Sequence, residues 1–278
     1  MLACNTCLTF LQECIVDRWI NEEGLSDLEC AIAVAMRRVL AFDRNLHWTA
    51  FERWIRDYTA LRLLLARRRG LQCVSLSKLF QGAWVGADID HLEVALSADS
   101  VGSVRDISSL TGRRFPPNNS SSASIQLSLL QPGAVYLNAA GAPCDIVVAF
   151  DLVQYGDDQT AGPRVPVLFE CRHTALRPAD AVRVKITEIE QAVVRARDAL
   201  GIELSERFAL MFITNRQLVN SKSQIVEGAS LVSDELSGSR GLSKAIVVVR
   251  QNCVTYFGVN LVRRFMGLTE PWELLETR

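Results

Sequence analysis

Two acidic residues stand at matching ends of two neighbouring apolar segments. Asp145 directly precedes the apolar run 146–150, and Glu170 directly follows the apolar run 165–169. The segment between them is rich in turn-forming residues, which predicts an antiparallel hairpin with both carboxylates at one edge of a sheet. Two carboxylates held within a few Å repel each other unless a cation lies between them, and oxygen ligands of this kind suit Mg²⁺ or Mn²⁺. The spacing therefore predicts a divalent metal site.

A cationic side chain is expected beside this pair. Arg172 lies two residues after Glu170, so both side chains point to the same face of the strand. There it could contact a phosphate oxygen or the attacking water. Arginine keeps its positive charge but cannot serve as a general base, because its pKa is above ~12. Lys185 and Gln191, on the helix predicted to follow, are candidate auxiliary residues, with a solvated helix face as the alternative.

Hydrophobic periodicity predicts helices first, then mostly strands. The expected helices cover 6–20, 26–42 with Ser26 as N-cap, 48–69 and 178–200. The expected strands cover 126–138, 144–153, 165–172, 208–215, 245–250 and 253–257. Residues 75–98 are ambiguous, since 75–80 could form a short helix and 91–96 could form a strand. The segment 102–124 is polar and rich in Gly, Pro, Asn and Ser, which predicts a flexible loop. This order defines an α/β domain with a mixed central sheet flanked by helices.

Composition limits the class of protein. The chain has 278 residues, of which 49% are hydrophobic, enough for a sizeable core. The formal net charge is -1, so binding to nucleic acid would need local basic patches. No run of ~18 uncharged apolar residues occurs, which predicts no membrane span.

Cys4 and Cys7 form the sole CxxC pair, and a structural zinc site would need two further ligands, so ordinary helix-face cysteines are the favoured interpretation.

Two arginine clusters are candidate phosphate contacts. The first is Arg67, Arg68 and Arg69 at the predicted end of a helix, and the second is Arg113 and Arg114 in the predicted loop. Clustered cations can bind a nucleic-acid backbone but carry no sequence information. A solvated helix end is an equally good interpretation of the first cluster.

The motifs around the two acids resemble those of the PD-(D/E)XK superfamily of restriction-endonuclease-like nucleases. In that superfamily a helix that often carries a glutamate precedes a strand with an acidic residue, and the next strand carries (D/E)-X-K before another helix. Asp145 is similar to the first acid, residues 170–172 to the second motif with arginine in place of lysine, and Glu52 to the upstream helical acid. Residues 138–145 and 168–173 more closely resemble the nuclease-like C-terminal domains of Crinkler effectors and retrotransposon hot spot proteins.

The resemblance implies a metal-dependent nuclease that acts on DNA. It implies a restriction-endonuclease-like core over 44–278 and metal ligation by Asp145, Glu170 and the backbone carbonyl of Cys171, with Glu52 in the catalytic site as a candidate extra ligand. Residues 1–43 would be a helical extension or the remnant of an upstream domain, with a place in the core packing as the alternative. A nuclear location is expected, in a host nucleus for an effector, with the cytoplasm as the alternative.

The sequence leaves two other functions open. Arginine at position 172 is the departure from the superfamily pattern, which makes a catalytically inactive domain that binds DNA or a protein partner the first alternative. A hydrolase or structural α/β domain unrelated to nucleases is the second. Partner proteins and a homo-oligomer have no support in the sequence.

Overall fold

A computed structural model describes most of the chain. The described residues are 24–41, 48–106, 129–138, 144–153, 163–173, 183–200, 207–220, 222–226, 242–258 and 261–262. The expected helix over 6–20, most of the expected loop over 102–124, and Arg113 and Arg114 lie outside them.

The elements follow one another as expected for an α/β domain. The helices are α1 (Asp27–Leu40), α2 (Trp48–Arg68), α3 (Leu76–Leu79), α4 (Ile186–Leu200) and α5 (Cys253–Phe257). The strands are β1 (Cys73–Ser75), β2 (Trp84–Val85), β3 (Glu93–Ala95), β4 (Val104–Asp106), β5 (Val135–Leu137), β6 (Ile146–Asp151), β7 (Arg164–Arg172), β8 (Arg183–Lys185), β9 (Ala209–Thr214), β10 (Gln217–Val219) and β11 (Ala245–Val248).

A mixed sheet of seven strands forms the centre of the molecule, in the order β2-β11-β9-β7-β6-β5-β4. Strands β5, β6 and β7 form an antiparallel meander, as the sequence predicts. After β7 the chain crosses over through α4 and returns in β9, which is parallel to β7, and β11 is in turn parallel to β9. The predicted α/β class with a mixed central sheet is confirmed.

Helices cover both faces of this sheet. Side chains alternate across a strand, so the apolar strands β6, β7 and β9 supply one buried set to each face. On one face Phe51 and Ile55 of α2 share a core cluster with Phe169 of β7. On the other face Ile189 of α4 packs in a second cluster with Leu168 of β7. The sheet is therefore the middle of three layers.

Helix α1 belongs to the same core as α2. Ser26 caps it as predicted, because its hydroxyl accepts from the Glu29 backbone N–H while the Glu29 carboxylate accepts from the Ser26 N–H. Val39 lies in the cluster that contains Phe51, and the Trp54 indole N–H donates to the Val39 carbonyl at 3.1 Å. The described part of the predicted extension 1–43 is therefore packed into the core.

Helix α2 carries Glu52 near its start and is anchored along its length. The Tyr58 hydroxyl donates to the Tyr256 carbonyl at 2.7 Å, and the Arg62 guanidinium donates to the same carbonyl at 3.1 Å. The helix ends after Arg67 and Arg68, and Gly70 follows with a positive φ of 73°, as the sequence predicts. These bonds join the middle of α2 to α5.

Four elements differ from the expectation. Of the strand expected over 126–138, only Val135–Leu137 is a strand among the described residues 129–138. Strand β4 lies inside the segment predicted as a loop over 102–124, where it pairs in parallel with β5. Helix α4 was expected from about residue 178, but residues 183–185 form β8, which pairs in parallel with β10. Residues 253–257 form helix α5 and not a strand.

Candidate active site at one end of the sheet

The hairpin of β6 and β7 brings Asp145 and Glu170 to the same end of the two strands. Ile146 pairs with Phe169 as the last pair of the register, and Asp145 and Glu170 each lie one residue beyond it. The Asp145 N–H donates to the Phe169 carbonyl at 2.8 Å, which holds Asp145 against the end of β7. The two acids therefore share one end of the sheet, as their positions in the sequence predict.

The Asp145 carboxylate is fixed by the backbone of the second motif. Its Oδ2 accepts a hydrogen bond of 2.6 Å from the Cys171 N–H. Burial raises the pKa of Asp145 to about 6, and the nearby Glu170 charge adds to this rise. The Cys171 N–H, the Arg172 guanidinium and the Glu52 carboxyl act in the opposite direction by stabilising the ionised form. Asp145 is therefore mainly ionised at neutral pH.

Glu52 approaches Asp145 from the first turns of α2. Its neighbour Phe51 is fully buried, and the Phe51 ring lies 4.9 Å from the His173 ring, which ties the start of α2 to the end of β7. The Glu52 carboxyl is hydrogen-bonded to Asp145, and burial followed by the Asp145 charge raises the pKa of Glu52 to about 8. Two carboxyls this close hold one proton between them at neutral pH.

Glu170 faces positive charge on the α4 side of the sheet. Its Oε1 accepts from Nε and Nη2 of Arg172 at 3.0 and 2.9 Å, and from Nη2 of Arg195 at 3.1 Å. Arg172 also pairs with Glu188 at 3.6 Å, and its guanidinium lies 5.9 Å from the centre of the Phe212 ring. The four charged groups form a continuous chain from Arg195 through Glu170 and Arg172 to Glu188.

The three acids do not form a ready metal cage. Within the described ranges, no cluster of three or more His, Cys, Asp or Glu side chains is arranged to hold a metal ion. The Glu52–Asp145 pair suits a divalent cation, because a cation can replace the proton that the two carboxyls share. Glu170 differs from this pair, because its Oε1 accepts hydrogen bonds from Arg172 and Arg195.

The two predicted auxiliary residues, Lys185 and Gln191, lie on the surface near α4. Lys185 is the last residue of β8 and not part of α4; its backbone N–H donates to Glu188 at 3.1 Å, and the residue is exposed. Gln191 is exposed on α4, one turn from Arg195. Neither is brought into contact with Asp145 or Glu170 by the hydrogen bonds of the described residues.

The first arginine cluster lies at the far end of α2. Arg67 pairs with Asp99 at 2.9 Å and Arg68 pairs with Glu29 at 3.3 Å, while Arg69 is exposed. Sixteen residues of helix separate Arg68 from Glu52, which corresponds to about 24 Å. The structure therefore does not bring this cluster to the acid pair, and it engages two of its three arginines in ion pairs.

Two residues of the site are not identified by analysis of the sequence alone. Glu188 and Arg195 lie seven residues, or two turns, apart on α4 and thus on one face of that helix. Gln191 lies between them on the same face. An isolated charged residue on an amphipathic helix normally faces solvent, so neither residue stands out by itself. Their spacing on one face is the signal in the sequence that could have identified them.

The acid pair makes stability depend on pH. The folded-state pKa of Glu52, about 8, lies above its ordinary value of 4.5, so the folded protein retains a proton that the unfolded chain has lost. The free energy of unfolding should therefore fall as pH rises from about 4.5 to 8. In EDTA, Glu52→Gln should be more stable than wild type at pH 9 by about 1–2 kcal/mol, after allowance for partial solvation, and similar at pH 4.5.

Thermal unfolding followed by circular dichroism would measure this difference, which corresponds to about 2–6 °C in Tm. Asp90→Asn, which removes an exposed carboxylate, is the control and should leave the pH dependence unchanged. An equal loss of stability with rising pH in wild type and Glu52→Gln would show that the pair does not share a proton.

Comparison with known proteins identifies no relative. No protein-family model matches the chain, and no curated protein or solved structure is significantly similar to it. Among the described residues, no helix is both long and apolar enough to cross a membrane.

Proposed function

We propose that this chain is a nuclease of the PD-(D/E)XK type that hydrolyses phosphodiester bonds in DNA with Mg²⁺ or Mn²⁺. The observation that carries the proposal is the convergence of Glu52, Asp145 and Glu170 at one end of the sheet. They come from a helix and two strands that are distant in sequence, and Arg172 joins them from the second strand. These are the positions that the resemblance to the superfamily implies.

The order of the elements supports the same proposal. A helix with Glu52 precedes a strand that begins after Asp145, the next strand ends at residues 170–172, and helix α4 follows. This order is similar to the superfamily core, in which a helix and an acid-bearing strand precede the (D/E)-X-K strand and a second helix. The parallel strand β9 then completes the crossover.

Asp145 and Glu52 are the residues that would hold the metal, together with the Cys171 carbonyl that the resemblance implies. A divalent cation held there lowers the pKa of a bound water and polarises a phosphate oxygen. Arg172 lies on the α4 side of the same sheet end, where its guanidinium would stabilise negative charge that develops on the phosphate. Asp145 supplies an ionised carboxylate at neutral pH, which the Cys171 N–H holds in one orientation.

One observation favours a second candidate, a catalytically inactive domain that binds DNA or a protein. Glu170 is paired with two arginines, and the residue in the lysine position of the motif cannot accept a proton at physiological pH. A domain that had lost catalysis could keep the fold and the positive charges of Arg172 and Arg195, which would still bind DNA or an acidic protein.

Cleavage of supercoiled plasmid DNA distinguishes these candidates. The purified chain is incubated with plasmid in Mg²⁺, in Mn²⁺ and in EDTA, and its binding to the same DNA is followed by electrophoretic mobility. Nicking or linearisation that requires the metal supports the nuclease. Binding without cleavage in either metal supports the inactive domain. The absence of both binding and cleavage would contradict the nuclease, and would leave an inactive domain that binds a protein or an α/β domain unrelated to nucleases.

A further inference from the structure

Arg195 and Glu188 are the two residues of the charged chain that the superfamily pattern does not assign, and Arg195 is the one in contact with Glu170. Its Nη2 lies 3.1 Å from Oε1 of Glu170, the same oxygen that accepts from two nitrogens of Arg172. The Glu170 side chain is only 17% exposed, whereas that of Arg195 is 45% exposed. Three N–H donors from two guanidinium groups thus converge on one largely buried carboxylate oxygen.

The two arginines are held to different extents. Arg172 has a second ionic partner in Glu188 at 3.6 Å and lies over the Phe212 ring. In the described part of the chain, Arg195 has Glu170 as its ion-pair partner and has solvent on its other side. Arg195 can therefore leave Glu170 with less loss of contacts than Arg172.

This pairing opposes the use of Glu170 as a metal ligand. A divalent cation that approached Glu170 would meet two guanidinium charges within a few Å, and like charges at that distance repel strongly where solvent is partly excluded. A phosphate of the nucleic-acid backbone offers Arg195 an alternative, because guanidinium groups bind phosphate in a bidentate manner.

We propose that Arg195 is a positioning residue that keeps Glu170 away from the metal until a backbone phosphate draws the guanidinium off. This inference rests on the proposed binding of nucleic acid and metal, and it adds a link between the two. When Arg195 moves to the phosphate, one of the two guanidinium charges beside Glu170 is removed, while Arg172 stays paired with it. The Glu170 carboxylate then attracts a cation held by Glu52 and Asp145 more strongly. DNA and metal must then each tighten the binding of the other by the same factor.

Calorimetric titration with Mn²⁺ tests the first half of this link. Without DNA, Arg195→Ala should bind Mn²⁺ about fivefold more tightly than wild type, because one guanidinium no longer competes for Glu170. Arg197→Ala is the matched control, since Arg197 lies on the same helix and pairs with its exposed neighbour Asp198 at 3.1 Å. It should bind Mn²⁺ as wild type does. Arg195→Lys keeps the positive charge and should lie closer to wild type than Arg195→Ala.

The second half is tested by repeating the titration with a phosphorothioate DNA duplex, which resists cleavage. The duplex should tighten Mn²⁺ binding about fivefold in wild type and in Arg197→Ala, but by less than twofold in Arg195→Ala. Unchanged or weaker Mn²⁺ binding in Arg195→Ala, or equal tightening by DNA in all three proteins, would overturn the inference.

The outcome is separable from that of the proposed nuclease activity. If plasmid is never cleaved but Arg195→Ala shows both changes in Mn²⁺ binding, the role of Arg195 stands and the nuclease activity does not. If plasmid is cleaved in a metal-dependent manner and Arg195→Ala binds Mn²⁺ as wild type does, the nuclease stands and the role of Arg195 does not.

Discussion

The Asp145→Asn variant is expected to lose metal-dependent DNA cleavage by at least about 10³-fold, which corresponds to about 4 kcal/mol in the activation free energy. Asparagine keeps the shape of the side chain and an oxygen that can accept the Cys171 N–H. It removes the negative charge that attracts a cation, and with it the charge that raises the pKa of Glu52. Initial rates of plasmid nicking in Mg²⁺, for wild type and variant at equal concentration, measure the effect.

A matched carboxylate at the other end of the same strand provides the control. Asp151 pairs with Arg164 at 3.0 Å, and Asp151→Asn should leave the cleavage rate per folded molecule unchanged. Asp145→Asn itself should remain folded and be at least as stable as wild type at pH 8, because it relieves repulsion within the acid pair. If Asp145→Asn cleaves DNA within tenfold of the wild-type rate, Asp145 is not a metal ligand required for cleavage.

The sequence is sufficient to predict that Asp145 and Glu170 lie at one end of the sheet. Strands β6 and β7 are nearly continuous runs of apolar residues with a turn-rich segment between them, and such runs fold as neighbouring buried strands. Because the pairing places Ile146 opposite Phe169, Asp145 and Glu170 meet at the sheet end without any further contact being required. The approach of Glu52 came from the resemblance alone, since its neighbours Arg53 and Arg56 suggest a solvated face just as well.

The sequence was not sufficient where distant segments decide the local structure. Residues 183–185 would continue α4 by periodicity, but pairing with β10, more than 30 residues later, makes them a strand. Residues 253–257 contain Val, Thr, Tyr and Phe, which favour a strand. The preceding Asn252 accepts from the Val249 N–H and donates to the Val247 carbonyl, which turns the chain into α5.

The charged chain around Glu170 was missed for a related reason. Ion pairs between a strand and a helix depend on how the two elements are aligned, and neither element records that alignment in its own sequence. Arg195 and Glu188 fall beside Glu170 and Arg172 only because the apolar face of α4 packs on Leu168 and Phe212. The packing of apolar residues therefore decides which charges meet at this site.

Arg172 is the residue on which catalysis is expected to depend next most strongly. Arg172→Ala should reduce metal-dependent cleavage about 10²-fold, because it removes the positive charge that would stabilise charge developing on the phosphate. Arg172→Lys should keep the rate within about tenfold of wild type, since an ammonium group preserves the charge and, unlike a guanidinium, can lose a proton. Initial rates of plasmid nicking measured from pH 6 to 9 test both variants, and only Arg172→Lys should acquire a new pH dependence.

The matched control is Arg164, at the opposite end of β7 and about 26 Å away along the strand. Arg164→Ala breaks the ion pair with Asp151 and a hydrogen bond to the Leu130 carbonyl, so it should lower stability without changing the cleavage rate per folded molecule. Arg172→Ala that cleaves as fast as wild type would show that the cation at this position has no catalytic role. In that case the pairing of Arg172 with Glu170 would serve the fold alone, and the departure from lysine would carry no consequence for the chemistry.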